Sequence, residues 1–397
     1  MDFFKNRIYL DYVSSTPVDA DMISSFPALP MEAIMANPSA LHKEGQAAKQ
    51  ALMDARTTVA EVLSAHADEI IFTATATESD NIALQGAVRA FIEGGISLEN
   101  IAIITTDIEH AGVLETIQTV GSDIQKIILP TEQGMLDPKD IVIPENAKAV
   151  IVSVMYVSNE IGTVQDIPAI AKRIRFLRKH HPDVSIVFHT DATQAPLHYS
   201  LNVQKLGLDM MTLGATKLYC PKGTGMLYVK RKTVLSPILF GGGQEFGLRP
   251  GTPAVPLIHD FAHALQYAQK NREEYSERIR SLQGKFEMLV MEKIPQAVIT
   301  AKDEIRAPHI SHIALEKFDS ELLVLELDAR GIAISAKSAC KNDMSRSGRE
   351  DANESSMVER IYGQGWGAIR FSFGRMTTDD ELEKAIIALT AVLEKYS

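Results

Sequence analysis

Lys217 stands where a lysine side chain could act as a nucleophile. It follows the apolar run 208–213, which is typical of a buried strand, and small or apolar residues surround it in L-G-A-T-K-L-Y-C. An amine held in such a desolvated place favours its neutral form, which attacks carbonyl groups to make Schiff bases. The alternative is a surface charge, the common role of a single lysine. The position at a strand end favours the chemical interpretation.

Two other segments follow predicted strands and could bind charged groups. Residues 73–81, T-A-T-A-T-E-S-D-N, begin a helix, whose free N–H groups and dipole form an anion site. Thr77 and Asp80 predict a capping box for that helix. Asp191, in H-T-D-A-T-Q, could pair with a cationic nitrogen. Taken singly, each segment is also explained by an ordinary cap or turn.

Cys340 is a candidate for a reactive thiol. It lies in S-A-K-S-A-C-K-N, and the neighbouring Lys337 and Lys341 would favour its thiolate. The polar stretch 341–357 after it predicts a long exposed loop, which composition alone explains equally well as a loop without a function. Cys220, among apolar neighbours, is interpreted as a packing residue.

Short apolar strands that alternate with helices would position these residues. Candidate strands are 69–73, 100–106, 149–155, 184–188, 208–213 and 225–229. Helical patterns lie near 46–64, 77–93, 110–119 and 167–180. Unbroken apolar strands predict a mostly parallel sheet covered on both faces, and therefore an α/β fold. Ligands of such sheets bind beyond the carboxyl ends of the strands.

The pattern changes after about residue 256 and predicts a smaller α+β domain. A helical stretch to about 293 precedes a strand (309–315), a helix (320–330), strands near 332–335 and 368–373, and a final helix (378–395). Ser320 is the predicted N-cap and Gly331 the predicted C′ residue of the middle helix. We expect a large domain over 15–256, and a small domain formed by 1–14 and 257–397 that carries the Cys340 loop.

Composition narrows the class of protein. The 397 residues are 45% hydrophobic, which is ordinary for a soluble globular protein, and their formal net charge of −11 disfavours binding to nucleic acid or to anionic lipid. Two cysteines favour a reducing cytoplasm over a disulfide-bonded secreted protein. We expect neither a signal peptide nor a membrane span, because the sequence has no long apolar run.

Together, these segments resemble the cysteine desulfurases, pyridoxal-phosphate (PLP) enzymes of aminotransferase class V. Eleven motifs in family order span nearly the whole chain. They are I-Y-L-D-Y (8–12) with T-P-V-D (16–19), N-P-S-A-L-H (37–42), A-T-E-S-D-N (76–81), E-H-A-G-V-L (109–114), N-E-I-G-T-V-Q-D-I (159–167), D-A-T-Q (191–194), K-L-Y with P-K-G-T-G (217–225), G-G-G-Q-E (241–245), R-P-G-T (249–252), S-A-C (338–340) and I-R-F-S-F-G-R (369–375). The resemblance implies the type I fold of PLP-dependent transferases.

The resemblance also implies which residues bind the cofactor. Lys217 would hold PLP as a Schiff base and move the substrate's Cα proton. Asp191 would pair with the pyridine nitrogen and keep it protonated. Gln194 would bond the phenolic oxygen, and the backbone of Ala76 and Thr77 would hold the phosphate.

The remaining implied roles concern the substrate and the assembly. Thr252 would reach the cofactor phosphate of the partner subunit in a homodimer. His110 would stack on the cofactor ring and take part in proton transfer. Asn159 and Arg370 would bind the carboxylate of L-cysteine, with a bidentate grip by the guanidinium. Cys340 would take the substrate sulfur as a persulfide, leaving alanine. Its long loop resembles the group that supplies iron–sulfur scaffolds and tRNA-thiolation proteins.

Several positions depart from the family pattern. Thr216 stands where a histidine usually precedes the lysine, and Gly214 where a phosphate-binding serine is usual. Thr75 and Lys337 each replace a glycine. These changes bear on phosphate affinity and on the nucleophile, whereas Lys217 itself is retained.

Two alternatives to a cysteine desulfurase stay open. One is another class V enzyme, such as a selenocysteine lyase or an aminotransferase, and the discriminating feature is Cys340, because a transaminase needs no mobile thiol. The other is a weakly active paralogue that serves as a binding subunit, which the departures at Gly214 and Thr216 motivate. The retained Lys217 and Asp191 argue against it.

Overall fold

The computed structural model describes residues 7–336 and 357–396. Within these ranges the strands are β1 (Ile8–Tyr9), β2 (Ile70–Thr73), β3 (Ile101–Thr106), β4 (Gln125–Leu129), β5 (Ala149–Ser153), β6 (Ser185–Asp191), β7 (Met210–Gly214), β8 (Gly225–Val229), β9 (Val298–Ile299), β10 (Ile310–Glu316), β11 (Ile332–Ala333) and β12 (Trp366–Ser372). The helices are α1 (Ala20–Ser24), α2 (Met31–Met35), α3 (Lys43–Leu63), α4 (Ala76–Glu93), α5 (Ala111–Thr119), α6 (Ile167–His180), α7 (Val203–Leu206), α8 (Val255–Lys293), α9 (Ser320–Asp328), α10 (Met357–Tyr362) and α11 (Asp379–Tyr396).

The largest sheet contains seven strands in the order β2-β8-β7-β6-β5-β3-β4. The pairs from β7 to β4 are parallel, and β8 runs antiparallel to both of its neighbours. The residues of β3 and β5 are all buried, as expected for strands covered on both faces. The predicted α/β class with a mostly parallel sheet is therefore confirmed.

Strand β4 was not predicted from the sequence. It lies at the edge of the sheet, and each of its residues is exposed or half-buried. An edge strand buries little of its surface, so its sequence Q-K-I-I-L lacks the unbroken apolar run of the central strands.

A second group of elements packs beside the large sheet. Antiparallel strands β12-β10-β9 and the parallel pair β1-β11 surround a core that includes Leu10, Phe286 and Phe371. Helix α8 joins both cores, since Ile258–Ala268 packs under the large sheet and Ile279–Val290 packs on the second core. The domain boundaries at 14/15 and 256/257 stay a prediction.

The ends of α9 differ from the prediction. Its N-cap is Asp319, whose side chain accepts a hydrogen bond from the Leu322 amide, so the assignment of Ser320 as N-cap was wrong. The Ser320 hydroxyl instead accepts from the Ala368 amide of β12 at 2.9 Å. Gly331 has a φ of 81° and lies two residues beyond the C-cap Ala329, where a left-handed residue reverses the chain.

Candidate active site

A cavity of about 270 Å³ opens at the carboxyl ends of the central strands. Eight of the ten predicted site residues line it, namely Ala76, Thr77, His110, Asn159, Asp191, Gln194, Lys217 and Arg370. Thr252 is exposed and lies outside this lining. Cys340 lies outside the residues that the structure describes. The cavity brings together residues that are far apart in the chain because they occupy one edge of the sheet.

Lys217 ends a short 3₁₀ turn, Ala215–Lys217, directly after β7. Its Nζ donates a hydrogen bond to the Ser14 carbonyl at 2.6 Å. Thr16 braces the same turn, since its Oγ1 accepts from the Tyr219 amide at 2.8 Å while its backbone N–H donates to the Thr216 carbonyl. The turn and the amino-terminal segment therefore hold the amine against the cavity wall.

Asp191 ends β6 with 7% of its surface exposed. Its Oδ1 accepts from the Thr193 amide at 2.9 Å, which fixes the carboxylate at the cavity. An anionic group held in this way suits a cationic ring nitrogen, as the sequence predicts.

Three ionisable groups lie fully buried near Asp191. Burial, with the charge of Asp191 added to it, raises the pKa of Asp80 well above its usual value. Burial likewise raises the pKa of Glu109 to about 8, and it lowers the pKa of His189 to about 4. His189 Nε2 lies 3.0 Å from Thr212 Oγ1 and 3.7 Å from Asp80 Oδ1. Burial therefore favours the neutral form of all three groups, and Asp191 is the carboxylate that lines the cavity.

Helix α4 begins at the cavity, where Ala76 and Thr77 line it. The N-cap is Thr75, whose Oγ1 accepts from the Glu78 amide at 3.1 Å. The predicted capping box of Thr77 and Asp80 was therefore wrong, because the helix starts earlier and Asp80 is buried beneath it. The amides of Ala76 and Thr77 precede the helical hydrogen bonds and form an anion site.

Two threonines add hydroxyl groups near this helix start. Thr193 and Thr224 line the cavity, and the Oγ1 atom of each is buried without a hydrogen-bond partner among the described residues. At Gly214 an added Cβ would lie 3.1 Å from the Ala76 Cβ, so the serine usual in the family would crowd the start of α4. PLP fits this set of groups, which comprises the two amides, the two hydroxyl groups, Asp191 and Lys217.

Arg370, on β12, lies deep in the cavity wall with 2% of its surface exposed. Its Nη1 donates to the Asn159 carbonyl at 2.6 Å, and its Nη2 lies 3.0 Å from both Asp11 Oδ1 and Ser14 Oγ. Its Nε has no partner among the described groups. A bidentate grip on a carboxylate would have to displace one of these contacts.

His110 is the N-cap of α5, and its Nδ1 accepts from the Gly112 amide at 3.0 Å. A neutral ring in this position therefore carries its proton on Nε2. This arrangement gives the imidazole a defined tautomer at the cavity.

Residues 11–14 also contact the cavity residues, which was not predicted from the sequence. Asp11 and Ser14 contact Arg370, Ser14 also contacts Lys217, and the Val13 carbonyl accepts from Gln194 Nε2 at 3.2 Å. The motif I-Y-L-D-Y was the only signal, and it does not reveal contacts across more than 180 residues of sequence.

Comparisons with known proteins identify the family of this chain. The aminotransferase class-V family model matches residues 8–385. A cysteine desulfurase IscS of Dictyoglomus turgidum is 31% identical over 394 residues, which covers 98% of this chain and 95% of the relative. No helix in the described part of the chain is long and apolar enough to cross a membrane.

Solved structures are similar over nearly the same length. A NifS-like protein superposes with a TM-score of 0.82 at 28% identity, covering 98% of this chain and 100% of its own. A structure of SspA in complex with cysteine superposes with a TM-score of 0.70 at 29% identity, covering 92% and 98%. The chain belongs to the PLP-dependent cysteine desulfurases of the aminotransferase class-V family.

Proposed function

We propose that this enzyme converts L-cysteine to L-alanine and transfers the sulfur to Cys340, from which an acceptor protein receives it. The observation that carries the proposal is the cavity in which Lys217 and Asp191 meet the buried cation of Arg370. The similar structure of SspA, which holds cysteine, supports the choice of substrate.

The cofactor residues each contribute a separate interaction. Bound PLP supplies an electron sink, which the chain's own side chains lack. Lys217 would attach it covalently and move the Cα proton at Nζ. Asp191 would pair with the ring nitrogen, Gln194 would donate to the phenolic oxygen, and the amides of Ala76 and Thr77 would bind the phosphate.

A second set of cavity residues would hold the substrate. Arg370 attracts the carboxylate of L-cysteine, and its burial strengthens that attraction because little water screens it. Asn159 orients the guanidinium through its backbone carbonyl and completes the carboxylate site with its side chain. His110 would stack on the cofactor and transfer a proton from Nε2.

The sulfur transfer needs no oxidant or reductant other than the enzyme thiol and the substrate. The C–S bond of L-cysteine breaks, an S–S bond forms at Cys340, and Cβ of the product gains a proton. L-cysteine and the Cys340 thiol therefore become L-alanine and a persulfide, with the sulfur oxidised as the carbon is reduced. An external thiol can then release the sulfur as sulfide.

The proposal includes a homodimer in the cytoplasm. Thr252 is exposed and outside the cavity of its own chain, which suits a contact with the partner subunit's cofactor phosphate. Met31, Met35 and Leu41 expose 67%, 75% and 91% of their surface, as residues of an interface would in a separated subunit. An iron–sulfur scaffold or a tRNA-thiolation protein is the proposed sulfur acceptor.

The test is to compare Cys340→Ser with Cys220→Ser. Cys220 is buried, and burial raises the pKa of its thiol to about 12, so it should be inert. We expect Cys340→Ser to keep the yellow, Lys217-bound cofactor but to lose at least 100-fold in alanine and sulfide production, whereas Cys220→Ser keeps turnover.

A mass measurement identifies the carrier directly. Brief exposure to L-cysteine should add one sulfur atom to the peptide that contains Cys340, and a reductant should remove it. Unchanged turnover in Cys340→Ser would contradict the transfer step and leave elimination of sulfur as the reaction. Activity with selenocysteine alone would indicate a selenocysteine lyase instead.

A further inference from the structure

His309 is buried behind the cavity and contacts Gln194. Its Nε2 lies 3.3 Å from Gln194 Oε1, and its Nδ1 has no partner among the described groups. Gln194 Nε2 donates to the Val13 carbonyl, which can only accept. The amide oxygen must therefore face His309, and His309 must donate to it from Nε2.

The surroundings keep the His309 ring neutral and fixed. Burial, together with the charges of Arg370 and Lys217, lowers its pKa to about 3. The ring stacks on His198 with centroids 4.5 Å apart and planes at 10°. A neutral ring that carries its proton on Nε2 can satisfy only the orientation of the Gln194 amide in which Oε1 faces it.

We propose that His309 is a positioning residue that fixes the Gln194 amide so that its second N–H, a hydrogen-bond donor, faces the cavity. This rests on the proposed role of Gln194 toward the phenolic oxygen of PLP. Without the His309 donor, only the Val13 carbonyl favours this orientation, so the amide turns over more readily and presents its oxygen, which would repel the phenolic oxygen. Gln194 alone does not define which of its two polar atoms faces the cavity.

Two variants of similar shape separate donation from packing. The amide of His309→Gln can donate to Gln194, whereas the thioether of His309→Met cannot. The readout is the pH titration of the visible absorbance of the bound cofactor. A hydrogen-bond donor stabilises the phenolic oxygen most once the proton that this oxygen shares has been lost. Loss of the donor in His309→Met should therefore raise the midpoint of the titration by about one pH unit. His309→Gln should stay near the parent value.

His198→Phe is the packing control, because it keeps an aromatic ring beside His309, and the His198 ring bonds Ser276 rather than Gln194. Its midpoint should match that of the parent. Equal shifts in His309→Gln and His309→Met, or no shift in either, would overturn the proposal.

A second measurement does not need the cofactor. In the ¹⁵N NMR spectrum of apo-protein labelled with ¹⁵N-histidine, the signals of His309 are those that disappear in His309→Gln. They should show a neutral ring protonated on Nε2. A proton on Nδ1 would overturn the inference about His309. Failure of the parent protein to bind PLP would instead contradict the proposed function and leave this result intact.

Discussion

Glu109 is a buried acid whose contacts leave half of its carboxyl group unsatisfied. Its Oε1 accepts from Thr106 Oγ1 at 2.7 Å and from the Met155 amide at 2.8 Å, whereas Oε2 has no partner among the described residues. Burial raises its pKa from the ordinary 4.5 to about 8, and the charge of Asp191 contributes to the rise. The folded enzyme therefore retains a proton that the unfolded chain gives up.

This proton predicts the pH dependence of stability. Below pH 4.5 both states hold the proton, and between pH 4.5 and about 8 only the folded state does. Raising the pH through this window should cost the folded state up to about 1.4 kcal/mol per pH unit. Glu109→Gln removes that cost, because an amide at the Oε2 position stays neutral. In urea unfolding of the apo-protein at several pH values, its stability relative to the parent should rise with pH up to about 8.

Glu115→Gln is the matched control, since Glu115 is an exposed residue of α5, the helix that follows Glu109. Its stability relative to the parent should not vary in this window. A parallel pH dependence in the parent and in Glu109→Gln would show that Glu109 is ionised in the folded enzyme.

At the scale of elements, a buried ion pair ties the segment around residue 245 to the large sheet. Arg56 of α3 bonds Glu245 Oε1 at 2.6 Å, and the Phe72 amide of β2 donates to Glu245 Oε2 at 2.8 Å. Glu245 and Phe246 both have positive φ values, 47° and 58°, which strain a backbone without glycine. The ion pair holds this strained turn a few residues before the exposed Thr252.

Removing one partner should show how much this ion pair contributes to the free energy of unfolding. Glu245→Ala leaves the Arg56 charge and the Phe72 amide buried without their acceptor, and should lower the free energy of unfolding by about 3–5 kcal/mol. Asp68→Ala breaks the Arg231–Asp68 pair, whose side chains are 55% and 51% exposed, and should cost under about 1 kcal/mol. Equal losses in chemical denaturation would show that burial does not distinguish the two pairs.

At the scale of the whole molecule, the site depends on both cores. Lys217 and Asp191 come from the large sheet, whereas Arg370 comes from β12 beside the second core. Ser14 connects the two parts, since it bonds both Lys217 and Arg370. Lys217 and Arg370 are therefore aligned only when the two cores are packed together.

Assembly is tested by mixing two inactive variants. If Thr252 serves the partner subunit's site, a heterodimer of Lys217→Ala and Thr252→Ala chains contains one intact site. After subunit exchange at equal concentrations, about a quarter of the parent activity should return, because half of the dimers are mixed and each has one working site. The control is each variant mixed with itself, and sedimentation should show a dimer. A fully active monomer would contradict the prediction.

The sequence predicted those parts of the site that depend on local order. Lys217 and Asp191 follow apolar strands, and parallel strands bring their carboxyl ends to one edge whatever the remaining contacts are. The start of α4 was recognised, but its cap was placed two residues late, because Thr75 and Thr77 are equivalent by residue type and only burial of Asp80 distinguishes them.

Sequence by itself determined the family, the central strands and most of the cavity residues, because periodicity and ordered motifs report local conformation and shared ancestry. Tertiary structure decided which groups are charged and which way they face. His309 meets Gln194 across 115 positions, and Asp11 meets Arg370 across 359. No local pattern encodes such contacts, and ionisation follows from burial, which exists only once both cores have formed.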